Sequence, residues 1–356
     1  MKIGIAARTF TVDEPGGAVK FGKKAHDQLV SESDHEIISF GPSSLDLEST
    51  VVSTYYPDIG QFYGILWEKT LLPRLTKNHG VDVLFCPNAN GFITNSSTKN
   101  IVCIHDMNSY HGYSSKLYSQ YERTILPRVS EKADCIITVS EFSKGEIVNF
   151  LNVSPEKVKV VHNGVDEYFK RETTGEPIDL PDKYILYVGA LNPRKNIEGV
   201  IKSFMEFQED FPEYKLVLIG PRNKKVFEGY SISEDEKLVV PGYVSKGQLK
   251  TAYENADTFL FPSYYEGFGI PPLEAMACKT PVVASNTSAL PEILGEAALY
   301  SSPDDHVKIS NQISKSVNDQ SVRESLIEKG VKKAAEYSWD ECARSIVNIC
   351  EIVGNQ

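Results

Sequence analysis

Short apolar runs alternate along this chain with longer amphipathic stretches, the pattern of parallel sheets whose faces are covered by helices. In the first half the runs fall at residues 3–7, 36–40, 81–86, 101–105, 135–139 and 158–161. In the second half they fall at 184–188, 215–219, 237–240, 258–261, 281–284 and 298–300, with helical periodicity between them over 197–210, 246–255 and 271–277. Residues 339–353 predict an amphipathic helix with Cys342, Ile346, Val347 and Cys350 on one face. Between the two series, a turn at Asn163-Gly-Val-Asp166 leads into the polar stretch 170–179, which reads as a linker. The pattern predicts an α/β domain over 1–168, a linker over 169–180, a second α/β domain over 181–336 and a terminal helix over 337–356.

Length and charge narrow this picture. A chain of 356 residues is too long for one ordinary core, so two domains are the natural partition. A formal net charge of −11 excludes a dedicated nucleic-acid binder, which carries a basic surface. The six cysteines form no CxxC pair and several sit within apolar runs, so buried free thiols are expected. The N-terminus lacks a long apolar signal segment, and no run of about 18 apolar residues occurs, so a cytoplasmic protein is expected. The stretch 62–74 offers apolar and basic groups for a peripheral membrane contact, or is a core helix.

Chemistry concentrates where apolar runs end, because parallel sheets bind ligands beyond the carboxyl ends of their strands. The run 258–261 is followed by Glu266-Gly267-Phe268-Gly269-Ile270-Pro-Pro-Leu-Glu274. The glycines remove Cβ atoms where backbone approaches a ligand, and prolines are tolerated at a helix start. Free amides there suit an anion or a polyol. Glu274 is expected in the first helical turn; both glutamates could instead simply cap the helix and face water. After the run 184–188 come Gly189-Ala-Leu-Asn-Pro-Arg194-Lys195-Asn196, two adjacent cations suited to a leaving diphosphate, or an ordinary solvated pair. His105-Asp106 ends the run 101–105, where an imidazole could orient a sugar or shuttle a proton. Pro15-Gly16-Gly17 could bring amides to a phosphate or be a plain loop. Ser140 in Ser140-Glu-Phe-Ser143 reads equally well as a helix cap.

These segments together resemble the family 4 glycosyltransferases, retaining enzymes of the GT-B class. The resemblance runs from about residue 3 to residue 345, strong in the second domain and looser in the first. It implies two Rossmann-like domains with parallel sheets facing across a deep cleft, and a C-terminal helix packing back on the N-terminal domain. It implies that Glu266 faces the transferred sugar and Glu274 the ribose, with Gly267, Phe268, Gly269 and Ile270 holding sugar and diphosphate. Gly189, Arg194 and Lys195 then serve the phosphates, Gly17 lies across from them, and Val244 in Pro241-Gly242-Tyr243-Val244 lies near the base. Ser285 to Glu292 supports the pocket, and His105 joins Glu266 as a catalytic candidate.

The implied donor is a nucleotide sugar, GDP-mannose or a UDP- or dTDP-hexose, used without metal or other cofactor. The implied acceptor is a glycan or lipid-linked glycan in surface polysaccharide synthesis. A GT-B nucleotide-sugar epimerase and a non-catalytic nucleotide-sugar-binding subunit are the alternatives.

Overall fold

The structure, a computed structural model, describes residues 1–11, 17–42, 44–47, 49–54, 64, 67–94, 96–173, 175–220 and 237–356. Pro15 and Gly16, and most of the stretch 62–66, lie outside the described residues. The chain forms two compact units, Met1–Gly164 with Trp339–Gln356, and Val165–Ser338.

Unit 1 is built on a parallel sheet of β1 (Lys2–Ala6), β2 (Glu36–Pro42), β3 (Thr50–Thr54), β4 (Val83–Cys86), β5 (Lys99–Cys103), β6 (Cys135–Thr138) and β7 (Val158–Val160). Their order is β3-β2-β1-β4-β5-β6-β7. Six of these strands match the sequence pattern, as β-branched runs buried on both faces should. The edge strand β3 was not expected. Its sequence TVVST is short and half polar, and only pairing with β2, Phe40 against Val52 among other positions, makes it a strand. The core beneath the sheet joins Phe40, Leu84, Val102 and Ile136 to Trp67, Leu72 and Val129. Trp67 and Leu72 are thus core residues, while Leu71 is exposed.

The terminal helix Trp339–Gly354 belongs to unit 1. It lies against the helix Gly17–Glu32, with Trp339 meeting Phe21 and Gln28 donating to Asp340 at 2.6 Å. Its buried face is Trp339, Cys342, Ala343, Ile346, Cys350 and Val353; Val347 is only half-buried, at the margin of that face. All six cysteines are buried and unbonded.

Unit 2 carries the parallel strands β8 (Tyr184–Val188), β9 (Lys215–Ile219), β10 (Leu238–Gly242), β11 (Thr258–Phe261), β12 (Val282–Ser285) and β13 (Ala298–Ser301). Their order is β10-β9-β8-β11-β12-β13. Stacked aromatics Tyr187, Phe261 and Phe259 bind β8 to β11. The stretch read as a linker makes contacts on this unit. Phe169 is buried edge-on against Tyr253, and the buried Lys250 donates to the Arg171 carbonyl at 2.8 Å. The boundary between units falls at Gly164, ahead of that stretch.

Each sheet has one place where the strand order reverses: between β1 and β4 in unit 1, and between β8 and β11 in unit 2. At such a switch point the loops leaving two neighbouring strands run in opposite directions and leave a crevice at the carboxyl ends.

Candidate active site

In unit 2 the crevice brings together two sequence segments far apart in the chain. Beyond β8 the chain enters a single 3-10 turn, Pro193–Lys195, whose start is capped by the Asn192 side chain on the Lys195 amide at 3.1 Å. Asn196 then takes a left-handed conformation (φ 56°) and caps the helix Ile197–Asp210. Its buried amide also donates to the carbonyls of Pro262 and Pro303, at 3.1 and 2.7 Å. One asparagine therefore ties the loop after β8 to the loops after β11 and β13.

Glu266 is 6% exposed. Lys195 Nζ stands 2.6 Å from its Oε1 and Arg194 Nη1 3.4 Å from its Oε2. Arg194 also donates to the Tyr265 carbonyl at 2.9 Å, and Lys195 lies 4.9 Å above the Phe261 ring. The Glu266 amide donates to Ser288 Oγ at 2.9 Å, so the loop after β12 fixes the backbone that presents the carboxylate. The arrangement is one anion between two cations, largely out of solvent, where fixed charges act strongly.

Behind it, Gly269 (φ 108°) precedes the helix Ile270–Ala277, with prolines in its first turn. A Cβ at Gly269 would lie 2.7 Å from Leu290 in a conformation L residues avoid, so glycine is required twice over. Gly267 and Phe268 are buried and Ile270 half-buried. Glu274 is the fifth residue of that helix, past the first turn where it was expected, because the helix begins at Ile270. Its Oε2 accepts from the buried Tyr253 hydroxyl at 3.1 Å. Gly189, just past β8, sets its carbonyl against Gly220, just past β9, so closely that a Cβ on Gly220 would overlap it. Val244 is half-buried just before the helix Lys246–Glu254.

In unit 1, Gly17 is the exposed first residue of its helix, with open space around its Cβ position. His105 lies beyond β5, edge-on to Phe21 at 4.9 Å. Its Nε2 is 2.9 Å from the Pro87 carbonyl, an oxygen that only accepts. The proton therefore sits on Nε2, and Nδ1 keeps the lone pair. Burial holds the imidazole below its ordinary pKa against the opposing pull of Pro87 and Asp106. Ser140 caps the helix Glu141–Leu151, and Ser143 Oγ donates to the His105 carbonyl at 3.2 Å.

The described geometry thus unites Glu266, Arg194, Lys195 and Ser288 in unit 2, with Glu274 on the adjoining helix. Tyr253, Ser288 and Asn196 carry positioning bonds that sequence spacing did not reveal.

Comparison with known proteins fits this arrangement. The profile described as glycosyl transferases group 1 matches residues 169–333, and that described as glycosyltransferase family 4 matches residues 16–168. The O-antigen chain mannosyltransferase B of Escherichia coli is 30% identical over 278 residues, 74% of this chain and 73% of that protein. The chain is a family 4 glycosyltransferase.

Its fold is that of the GT-B enzymes. The sucrose-phosphate synthase of Thermosynechococcus elongatus superposes with a TM-score of 0.79 at 17% identity, covering 98% of each chain. Anabaena HepE, solved with UDP-glucose, superposes with a TM-score of 0.75 at 14% identity over 98% of this chain and 99% of that one. At such identities the likeness concerns the fold alone. This glycosyltransferase therefore has the two Rossmann-like sheets expected from its sequence. No helix among the described residues is long and apolar enough to cross a membrane.

Proposed function

We propose that this glycosyltransferase moves a mannosyl residue from GDP-mannose to a growing surface glycan or lipid-linked glycan, with retention of anomeric configuration. The reading rests above all on one observation: Glu266 is held between Arg194 and Lys195 at the β8–β11 switch point. In this reading the diphosphate leaves toward Arg194 and Lys195, which stabilise the developing charge without a metal ion. Amides at the Gly269–Ile270 helix start hold the phosphates, Glu274 takes the ribose hydroxyls, and Val244 lies at the base. Glu266 faces the sugar; with its oxygens engaged by two cations it is a weak nucleophile, which favours attack by the acceptor on the face the diphosphate leaves. His105, with Nε2 on the Pro87 carbonyl, keeps the Nδ1 lone pair to orient a sugar hydroxyl or take its proton.

Mannose is supported by the name of the E. coli relative, and nucleotide-sugar use by the HepE complex. The protein works in the cytoplasm, in peripheral contact with the membrane that carries its acceptor. A thermal-shift series with GDP, UDP, dTDP and ADP tests the donor. GDP at a hundredfold excess over its Kd adds about 2.7 kcal/mol of apparent stability. If no nucleotide raises the melting temperature, the reading fails. Transfer of label from GDP-mannose in excess EDTA tests the metal-free chemistry.

A further inference from the structure

The chain passes from unit 1 to unit 2 between Gly164 and Val165, and returns between Ser338 and Trp339. On the unit 2 side these two crossings meet at one residue. The Tyr337 carbonyl accepts from the Val165 amide at 3.2 Å and from Lys170 Nζ at 3.1 Å. Both of its lone pairs are thereby engaged, beside a Val165 that is fully buried.

The side chain of the same tyrosine reaches the donor side of the unit. Its buried ring stands edge-on to Phe268, with centroids 5.4 Å apart and planes at 89°. Its hydroxyl donates at 3.2 Å to the carbonyl of Ile293, in the helix Leu290–Leu294. Leu290 of that helix is the side chain a Cβ at Gly269 would strike. Phe268 and Gly269, consecutive in the donor loop, thus each meet a group of one bonded pair.

The entry crossing repeats the arrangement at the other carboxylate. Phe169 stands edge-on to Tyr253 at 5.8 Å, and Tyr253 holds Glu274. Each crossing therefore sets one buried ring against a ring of the donor side. Edge-to-face contact fixes a partner ring in direction as well as in place. The contact matters most at Phe268, because its neighbours Gly267 and Gly269 carry no side chain by which the loop can be held.

We infer that Tyr337 is a positioning residue of the donor site. Through Phe268 it sets the loop amides, and through its carbonyl it passes occupancy of that loop to the crossing Val165–Lys170, which becomes more ordered when nucleotide binds. The inference rests on the donor reading above.

Amide hydrogen exchange in the full-length protein reads the crossing directly, since the Val165 amide is bonded to Tyr337. Saturating GDP is expected to slow exchange in a peptide spanning 165–170 by about fivefold or more in wild type. If UDP or dTDP alone raises the melting temperature, that nucleotide takes the place of GDP. Tyr337→Phe keeps the ring, so it retains this protection and binds GDP within about twofold of wild type. Tyr337→Leu removes the ring contact, weakens GDP about tenfold, and at saturation no longer slows the peptide. Phe268→Leu removes the same contact from the loop side and gives the same loss, which serves if Tyr337→Leu does not fold. A merely structural role would lower the melting temperature yet leave the protection intact once the site is filled. The inference is overturned if nucleotide raises the wild-type melting temperature without slowing the peptide. It is equally overturned if Tyr337→Leu or Phe268→Leu at saturation keeps the wild-type protection, or if Tyr337→Phe loses it. Failure of the donor reading looks different: no nucleotide then changes either the melting temperature or the exchange.

Discussion

Lys195 Nζ and Glu266 Oε1 stand 2.6 Å apart although 71 residues separate them in the chain. The contact exists because β11 lies beside β8 in the sheet, which makes neighbours of the loops that leave them. A buried carboxylate with two cationic partners depends on both. Lys195→Ala is expected to lower kcat for sugar transfer by about a hundredfold or more, the scale for losing one charge-stabilising group in a transition state. Steady-state kinetics with labelled donor measure it. Full transfer activity in Lys195→Ala, or in Glu274→Gln, would sink the assignment of these residues.

Tyr253 is fully buried and its hydroxyl reaches Glu274 at 3.1 Å. Burial first, and then the Glu274 charge, push its phenol pKa well above the ordinary value, so it stays a donor across the physiological range. Tyr253→Phe leaves Glu274 in place but unaligned. Its expected signature is a donor KM raised about fivefold with kcat little changed, as for one lost hydrogen bond. An equal fall in kcat and kcat/KM would instead place Glu274 among groups that act only in the transition state.

Two glycines separate folding from binding. Gly269→Ala forces a side chain into a left-handed backbone against Leu290, and is expected to destabilise unit 2 by about 1–3 kcal/mol in denaturant unfolding. Gly17→Ala meets open space and should leave stability unchanged or slightly higher. A loss of nucleotide affinity in a fully stable Gly17→Ala would assign Gly17 to the donor; unchanged affinity would remove it from the site.

The folded pKa of His105 lies below its ordinary value of 6.5. The unfolded chain therefore binds its proton first as pH falls, and stability present above pH 6.5 is lost as pH drops below it. The slope contributed is at most about 1.4 kcal/mol per pH unit. Melting curves between pH 5 and pH 7.5 should show a shallower acid decline for His105→Gln than for wild type. Identical slopes would contradict the buried, neutral imidazole.

Strand positions were legible because buried parallel strands read as unbroken apolar runs; β3 was not, since TVVST acquires its identity from β2. The donor-side segments were legible one by one, through glycines, prolines and paired cations at strand ends. Their convergence was not, because strand order is a property of the whole sheet. Nor did spacing mark Ser288, whose role is one bond to a backbone amide. Asn196 stood in view beside Lys195, but its two carbonyl contacts lie 66 and 107 residues away.

The helix Trp339–Gly354 also sets an order of events during synthesis. Unit 2 is one unbroken segment, so everything it needs has left the ribosome once Ser338 has emerged. Unit 1 begins first yet is completed last, because Phe21 and its helix wait for Trp339, some three hundred residues later in translation. A stop just beyond Ser338 would therefore leave unit 2 whole and unit 1 without the helix that meets Phe21.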